Sequence, residues 1–214
     1  MEKLDKSMAL DSSDAVRFGI TAVVLAAGRG RRFDPTGVSF KLVQPLADGR
    51  PMIRTVCQNV LACVDEVLVV CGPYEAEIRR VLAGLPVRFV SCANADAGMG
   101  ASVKCGIAAS NPGVGWLLML GDMPYVDQHT IHAVTSALRQ GAYIARPFYQ
   151  SKPGHPVGFS ATHRIDLLAL EDAQEGAREL IQSHPDRLAR IDLGDRGCIA
   201  DIDTPFDLVS ALRS

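Results

Sequence analysis

The sequence carries no excess of charge of either sign: 22 Lys and Arg stand against 24 Asp and Glu, for a formal net charge of −2. A chain so balanced lacks the broad positive field with which a general nucleic-acid or anionic-membrane binder attracts its partner, so neither class is expected. No apolar run is long enough to span a bilayer. The first nineteen residues are polar, mixed in charge and without an apolar core. No secretory signal is therefore expected, the cytoplasm is the expected compartment, and residues 1–18 are expected to form a flexible tail. The six cysteines, Cys57, Cys63, Cys71, Cys92, Cys105 and Cys198, include no C-x-x-C pair. That spacing argues against zinc ribbons and thioredoxin-type redox motifs, and leaves buried, reduced thiols acting as small hydrophobes. There is also no internal repeat and no low-complexity tract.

What is present is a regular alternation. With 48% hydrophobic residues in 214, the chain can build one well-packed α/β domain, expected over residues 19–214. Apolar runs predict strands at residues 21–25, 66–71, 87–91, 116–120 and 142–146, with weaker ones at 157–159 and 187–192. Helical patterns fall at residues 52–62, 73–83, 100–109, 127–139, 161–170, 176–183 and 205–212. Strands alternating with helices imply βαβ units and a mainly parallel sheet. Strands that are almost wholly apolar imply helices on both faces. Ligands of such sheets lie beyond the carboxyl ends of the strands. The segments to inspect are therefore residues 26–33, Gly72 and Pro73, residues 93–102, and residues 121–124.

The first of these is the richest. A buried strand runs into Ala26, Ala27, Gly28, Arg29, Gly30, Arg31 and Arg32, and Lys41 follows. Small residues let a backbone approach a ligand closely, and a polyphosphate wants backbone N–H groups and cations. The loop reads as a site for a nucleoside triphosphate. Gly28-x-Gly30 begins a dinucleotide fingerprint, but Phe33 stands where its third glycine belongs and the second strand ends without an acid. The G-x-x-x-x-G-K-[ST] loop is absent as well, because Lys41 lies between Phe40 and Leu42. The remaining arrangement is a loop whose amides wrap the phosphates while Arg32 and Lys41 supply charge. Three arginines among two glycines after a buried strand favour that reading over a solvated basic loop, although Arg29 and Arg31 individually could still be surface residues.

Asp122 follows the fourth strand across one glycine. It could cap a helix, but Asp127 is the better cap for the next one. A carboxylate on a rigid strand end beside a polyphosphate loop suits Mg²⁺, which takes one or two carboxylates plus phosphate oxygens and water. A second carboxylate is expected from Asp201 and Asp203, which point the same way in an extended segment. Asp203-Thr-Pro205 also reads as a helix start. Gly98 and Gly100 allow close approach after the third strand, and Ser102 either offers its hydroxyl to a ligand or caps the following helix.

The motifs together resemble a known family. Leu25-Ala-Ala-Gly-Arg-Gly-Arg-Arg-Phe33 with Lys41-Leu42 is similar to the L-A-A-G-x-x-x-R-[MF]…K-L signature of the MobA-like nucleotidyltransferases. Within these it is nearest the molybdenum cofactor cytidylyltransferases. The resemblance continues through Gly98–Ser102, Leu120–Pro124, Gly154-His-Pro156 and Asp201–Pro205. It implies a Rossmann-like three-layer α/β/α fold with a mostly parallel mixed sheet. Residues 19–125 would form the nucleotide-binding part and residues 126–214 the acceptor-binding part.

The implied reaction transfers CMP from CTP to the phosphate of molybdopterin, with Mg²⁺ as cofactor. A client molybdoenzyme would be a further partner. Arg32, Lys41 and Asp122 would be catalytic. Leu25, Ala26, Ala27, Gly28, Arg29, Gly30, Lys41, Gly72, Gly98, Gly100 and Ser102 would border the nucleotide. His155 would meet the acceptor, and Asp122, Asp201 and Asp203 the metal. Ala27 is the residue the resemblance ties to CTP, since related guanylyltransferases carry Gly there. Guanylyl or sugar- and alditol-phosphate transfer on the same fold, and a non-catalytic cofactor carrier, are the alternative readings. One departure stands out: residues 34–40 lengthen the family's Arg-to-Lys spacing, so this part of the loop is expected to fold differently.

Overall fold

In the computed structural model, residues 19–37, 39–111, 113–171 and 176–211 are described. The expected tail at residues 1–18 lies outside them, as does residue 212 at the expected end of the last helix. Runs of β-branched and aliphatic residues form β1 (Ile20–Ala26), β2 (Glu66–Cys71), β3 (Arg88–Ser91) and β4 (Gly115–Leu120). The helices among them are α1 (Met52–Leu61), α2 (Glu75–Val81) and α3 (Met99–Ala109). Then come α4 (Gln128–Arg139), β5 (Ile144–Tyr149), β6 (Lys152–Pro153) and β7 (Val157–Ser160). The chain ends with α5 (Arg164–Leu168), α6 (Arg178–Ser183), β8 (Leu188–Asp192) and α7 (Pro205–Ala211).

The eight strands form one sheet in the order β3-β2-β1-β4-β7-β5-β6, with β8 paired to β5. β1 pairs in parallel with β2 and β4, β2 with β3, and β5 with β8. Only β7 and β6 run antiparallel to their neighbours. The sheet is thus mixed and mostly parallel, with the carboxyl ends of β1 and β4 side by side. Alternate residues of each strand face opposite layers. Val24, Val69 and Met119 pack with α1, α2 and α4 through Ile53, Ile78 and Ile131. Val23, Val70 and Trp116 face α3, α5 and α6 through Ile107, Leu167 and Leu180.

Local chemistry accounts for most boundaries. Asp127 caps α4 by accepting from the His129 N–H at 2.8 Å. α2 carries Glu75 and Glu77 in its first turn and Arg79 and Arg80 in its last, which complements the helix dipole. The strand expected at residues 142–146 instead starts at Ile144 and runs through Pro147 to Tyr149. Proline lacks only a donor here: its carbonyl accepts from the Gly154 N–H at 2.8 Å, and it keeps register opposite Ile191. β5 then turns back into β6 through Gln150 and Ser151, at φ of 46° and 66°. The helix expected at residues 161–170 divides into a 3-10 turn, Ala161–His163, and the short α5. Among the described residues, no helix is long and apolar enough to cross a membrane.

Candidate active site

A cavity of about 590 Å³ opens beyond the carboxyl ends of β1 and β4. Its first wall is the loop after β1, where Leu25, Ala26, Ala27, Gly28, Arg29, Gly30, Arg31 and Arg32 all line it. A Cβ on Gly28 would meet nothing within 4 Å, so the backbone there stands open to an incoming ligand. Gly30 turns the chain at φ 63°, and its carbonyl accepts from Phe33 and Asp34 at 2.9 and 3.1 Å.

The lengthened segment before Lys41 has its own lock. The Asp34 carboxylate accepts from the Thr36 and Ser39 N–H groups at 2.8 and 2.7 Å. Phe40 stacks on Tyr74 with ring centroids 4.2 Å apart, and the Tyr74 hydroxyl donates to the Gly37 carbonyl at 3.3 Å. These contacts hold the chain so that Lys41, starting a 3-10 turn, points into the cavity with its side chain 9% exposed.

Lys41 is the centre of the polar network. Its Nζ donates to Asp122 Oδ2 at 2.7 Å and to Asp203 Oδ1 at 3.1 Å. Arg32 pairs with the other oxygen of Asp203. Charges alternate along Arg32, Asp203, Lys41 and Asp122. Asp122 Oδ1 is buried and has no hydrogen-bond partner among the described residues, which is unusual for a buried carboxylate oxygen.

The backbone fixes this meeting. The Ile202 N–H donates to the Asp122 carbonyl at 3.0 Å, and buried Ile202 anchors the segment between the two later aspartates. Asp203 does not cap α7. Thr204 and Asp207 form that box themselves, Asp207 N–H to Thr204 Oγ1 at 3.2 Å and Thr204 N–H to Asp207 Oδ2 at 2.8 Å. The Asp203 carboxylate is thereby left for the cavity. Asp201 lies outside the lining, on the exposed side of Ile202. It is close enough for burial, first, and then the Asp203 and Asp122 charges to hold its carboxyl above the usual range.

The opposite wall comes from the segment after β3. Gly98, at φ 138°, precedes α3, whose start has no side-chain cap among the described residues, and Gly98 and Met99 line the cavity. Ser102 is buried in the helix and lines the cavity rather than capping it. Asp96 also lines it and is clasped by Arg29 at 2.6 and 2.5 Å. Arg29 holds the Asp96 carboxyl below its usual range. Asp96 and Met99 were not singled out from the sequence; an acid in the loop facing three arginines was the available signal for Asp96.

Three more expected residues, besides Asp201, lie outside the lining. Gly72 lines a smaller neighbouring cavity of about 320 Å³, and a Cβ there would come 2.4 Å from the Ala27 carbonyl oxygen. It backs the loop after β1. Gly100 is buried in α3 and outside the lining. His155 is outside it too, just ahead of β7, whose Val157 pairs with Leu118 near the end of β4. Its backbone N–H donates to the Cys198 carbonyl at 2.7 Å, while its Nδ1 is buried without a partner among the described residues. Burial, and then the Arg146 charge, push its pKa down to about 4. A neutral imidazole can offer a hydrogen bond but no charge pair at neutral pH.

Among the described residues, no group of three or more His, Cys, Asp and Glu is placed to hold a metal ion. Mg²⁺ needs fewer protein ligands than that, because one or two carboxylates with phosphate oxygens and water satisfy it. The Asp122 and Asp203 pair, with an orphaned Asp122 oxygen, fits such an ion.

The MobA-like NTP transferase domain matches residues 22–188 of the chain. The chain belongs to the MobA-like NTP transferase family. This MobA-like chain is 33% identical over 120 residues to the "Probable molybdenum cofactor guanylyltransferase" of Haloferax mediterranei. That stretch covers 56% of this chain and 55% of the relative, so the chain spans about half the length of that curated protein. Rv0371c from Mycobacterium tuberculosis superposes with a TM-score of 0.77 at 28% identity, over 92% of this chain and 98% of that one. Rv0371c also has a structure in complex with manganese, which matches at a TM-score of 0.72 and 25% identity over 92% and 99% of the two chains. A nucleotidyl transferase from Methanothermobacter matches at a TM-score of 0.76 and 27% identity, over 91% and 98%.

Proposed function

We propose that this MobA-like nucleotidyltransferase transfers CMP from CTP to the terminal phosphate of molybdopterin and releases pyrophosphate. The observation that carries transfer chemistry is the pair of carboxylates, Asp122 and Asp203, held around Lys41 at the floor of a glycine- and arginine-walled cavity.

An oxygen of the acceptor phosphate attacks the α-phosphorus of the triphosphate, and the bond to pyrophosphate breaks. No protein nucleophile is required, because the acceptor phosphate is already ionised at neutral pH. The chain's work is alignment and charge neutralisation. The open backbone at Gly28 and the uncapped start of α3 present N–H groups to the ligand. Arg32 and Lys41 neutralise the departing pyrophosphate. Asp122 and Asp203 would hold Mg²⁺, which when bound supplies a Lewis acid at the α-phosphate.

The choice of CTP rests on Ala27, which is buried where the loop leaves β1 and bears the methyl group that guanylyl enzymes of the family lack. Guanylyl transfer is the second reading, favoured by the name of the Haloferax relative. The deciding experiment measures pyrophosphate release from CTP, GTP, UTP and ATP with Mg²⁺, with and without molybdopterin. Release from CTP that depends on molybdopterin is expected. Equal release from all four would remove the CTP assignment, and none from any would favour a carrier.

A further inference from the structure

We propose that Cys92 and Cys105 form a peroxide-oxidisable dithiol whose disulfide rearranges one wall of the nucleotide cavity and weakens nucleotide binding. The inference rests on reading that cavity as a triphosphate site. It starts from one side chain that two thiols share. Cys92 Sγ lies 3.4 Å from Asn94 Oδ1, and Cys105 Sγ lies 3.8 Å from the same oxygen. Cys92 follows β3 and Cys105 belongs to α3, so Asn94 bridges the two elements.

Their exposure differs in a useful way. Cys105 is the single cysteine among the six that is not buried, whereas Cys92 is 4% exposed. Cys57 and Cys71 are both sealed in the core. Peroxide can therefore reach Cys105 first. Burial, and then the neighbouring Cys105, push the Cys92 thiol up to about 12, which suits it to the second, resolving role rather than to first attack.

The chemistry balances. The Cys105 thiolate attacks one oxygen of hydrogen peroxide, the O–O bond breaks, hydroxide leaves and a sulfenic acid remains. Cys92 sulfur then attacks the Cys105 sulfur and displaces hydroxide, which takes up the Cys92 proton as water. Two thiols are oxidised and one peroxide is reduced to two waters.

The segment closed by this bond contains Ala95, Asp96, Gly98, Met99 and Ser102, all of which line the cavity. A disulfide has no S–H to donate and needs the sulfurs at about 2.05 Å, so both hydrogen bonds to Asn94 are lost, as is the one from Cys92 to the Ala101 carbonyl at 3.6 Å. The end of β3 is drawn against the first turns of α3. The Asp96 clasp on Arg29 and the Gly98 turn lie between the two points that move.

The test treats the reduced protein with hydrogen peroxide and follows intact mass, a non-reducing peptide map and CTP affinity. Expected are a mass loss of two hydrogens, a Cys92–Cys105 linkage, and CTP binding weakened about threefold or more, all reversed by dithiothreitol. Cys105→Ser should bind CTP as the parent does and show neither the linkage nor the loss of affinity. Sulfinic acid at Cys105 with Cys92 still free, a linkage between other cysteines, or a linkage with unchanged affinity would each overturn the proposal. The linkage is mapped without nucleotide. If the reduced protein binds none of the four triphosphates, the functional reading fails while the dithiol is judged on its map alone.

Discussion

Lys41 and Asp122, 81 residues apart in sequence, meet at 2.7 Å between Nζ and Oδ2. The same ammonium reaches Asp203, 162 residues away, at 3.1 Å. One buried cation thus holds two carboxylates that would otherwise repel, and it does so on the cavity side of the sheet.

Replacing Lys41 with Ala leaves the two aspartates facing each other without their cation. A charge-assisted contact of this kind contributes about 1.5–3 kcal/mol, so the variant is expected to melt lower than the parent in metal-free buffer. Added Mg²⁺ should recover part of the difference. Pyrophosphate release should fall about 100-fold or more, as when an electrostatic stabiliser of the reacting phosphates is removed. Differential scanning fluorimetry with and without Mg²⁺, paired with turnover, checks both parts. A melting temperature equal to the parent's in metal-free buffer would count against the bridging role.

Asp122→Asn preserves shape and leaves the Ile202 contact, which uses the Asp122 backbone carbonyl. It should remain folded yet lose about 100-fold or more of its turnover, with a matching loss of Mg²⁺ affinity. Near-normal turnover would sink the assignment of Asp122 to the reacting side.

Gly72→Ala tests a residue that supports the loop without facing the main cavity. The added Cβ would stand 2.4 Å from the Ala27 carbonyl oxygen, a backbone atom that cannot swing aside. The expected result is destabilisation of about 1–3 kcal/mol, typical of overpacking, and a raised KM for the triphosphate as the loop shifts. Urea titration and steady-state kinetics read the two effects. A variant with parental KM would show that the loop does not depend on this contact.

His155 carries the pH signature. Its pKa falls from 6.5 to about 4 on folding, so between those values the unfolded chain binds the extra proton. Stability from this group is complete above pH 6.5 and is lost as the pH falls toward about 4, by roughly 3 kcal/mol in total. His155→Gln should flatten that part of the stability profile relative to the parent, measured by urea unfolding from pH 4 to 8. Parallel profiles for the two proteins would contradict the buried, neutral imidazole.

Much of this arrangement is legible along the chain because it depends on neighbours in sequence. β2 has the bounds that its apolar run predicts, the Asp127 cap is where a cap is needed, and the small residues after β1 wall the cavity as expected. Strand periodicity, capping and turn preferences act over a few residues, so one sequence suffices to read them. Other features needed the fold. Asp203 reads locally as a helix start, and only the Thr204–Asp207 box releases its carboxylate. Asp96 gains meaning from Arg29, 67 residues away.

The sequence by itself determined an α/β chain with a glycine- and arginine-rich loop after its first strand and a carboxylate after its fourth. The tertiary structure decided which charges meet. Parallel pairing sets the ends of β1 and β4 side by side, and the Ile202 contact brings in the last aspartates. Ion pairs across 81 and 162 residues depend on strand order, which no local pattern encodes. His155, ahead of β7, falls outside the lining of the cavity.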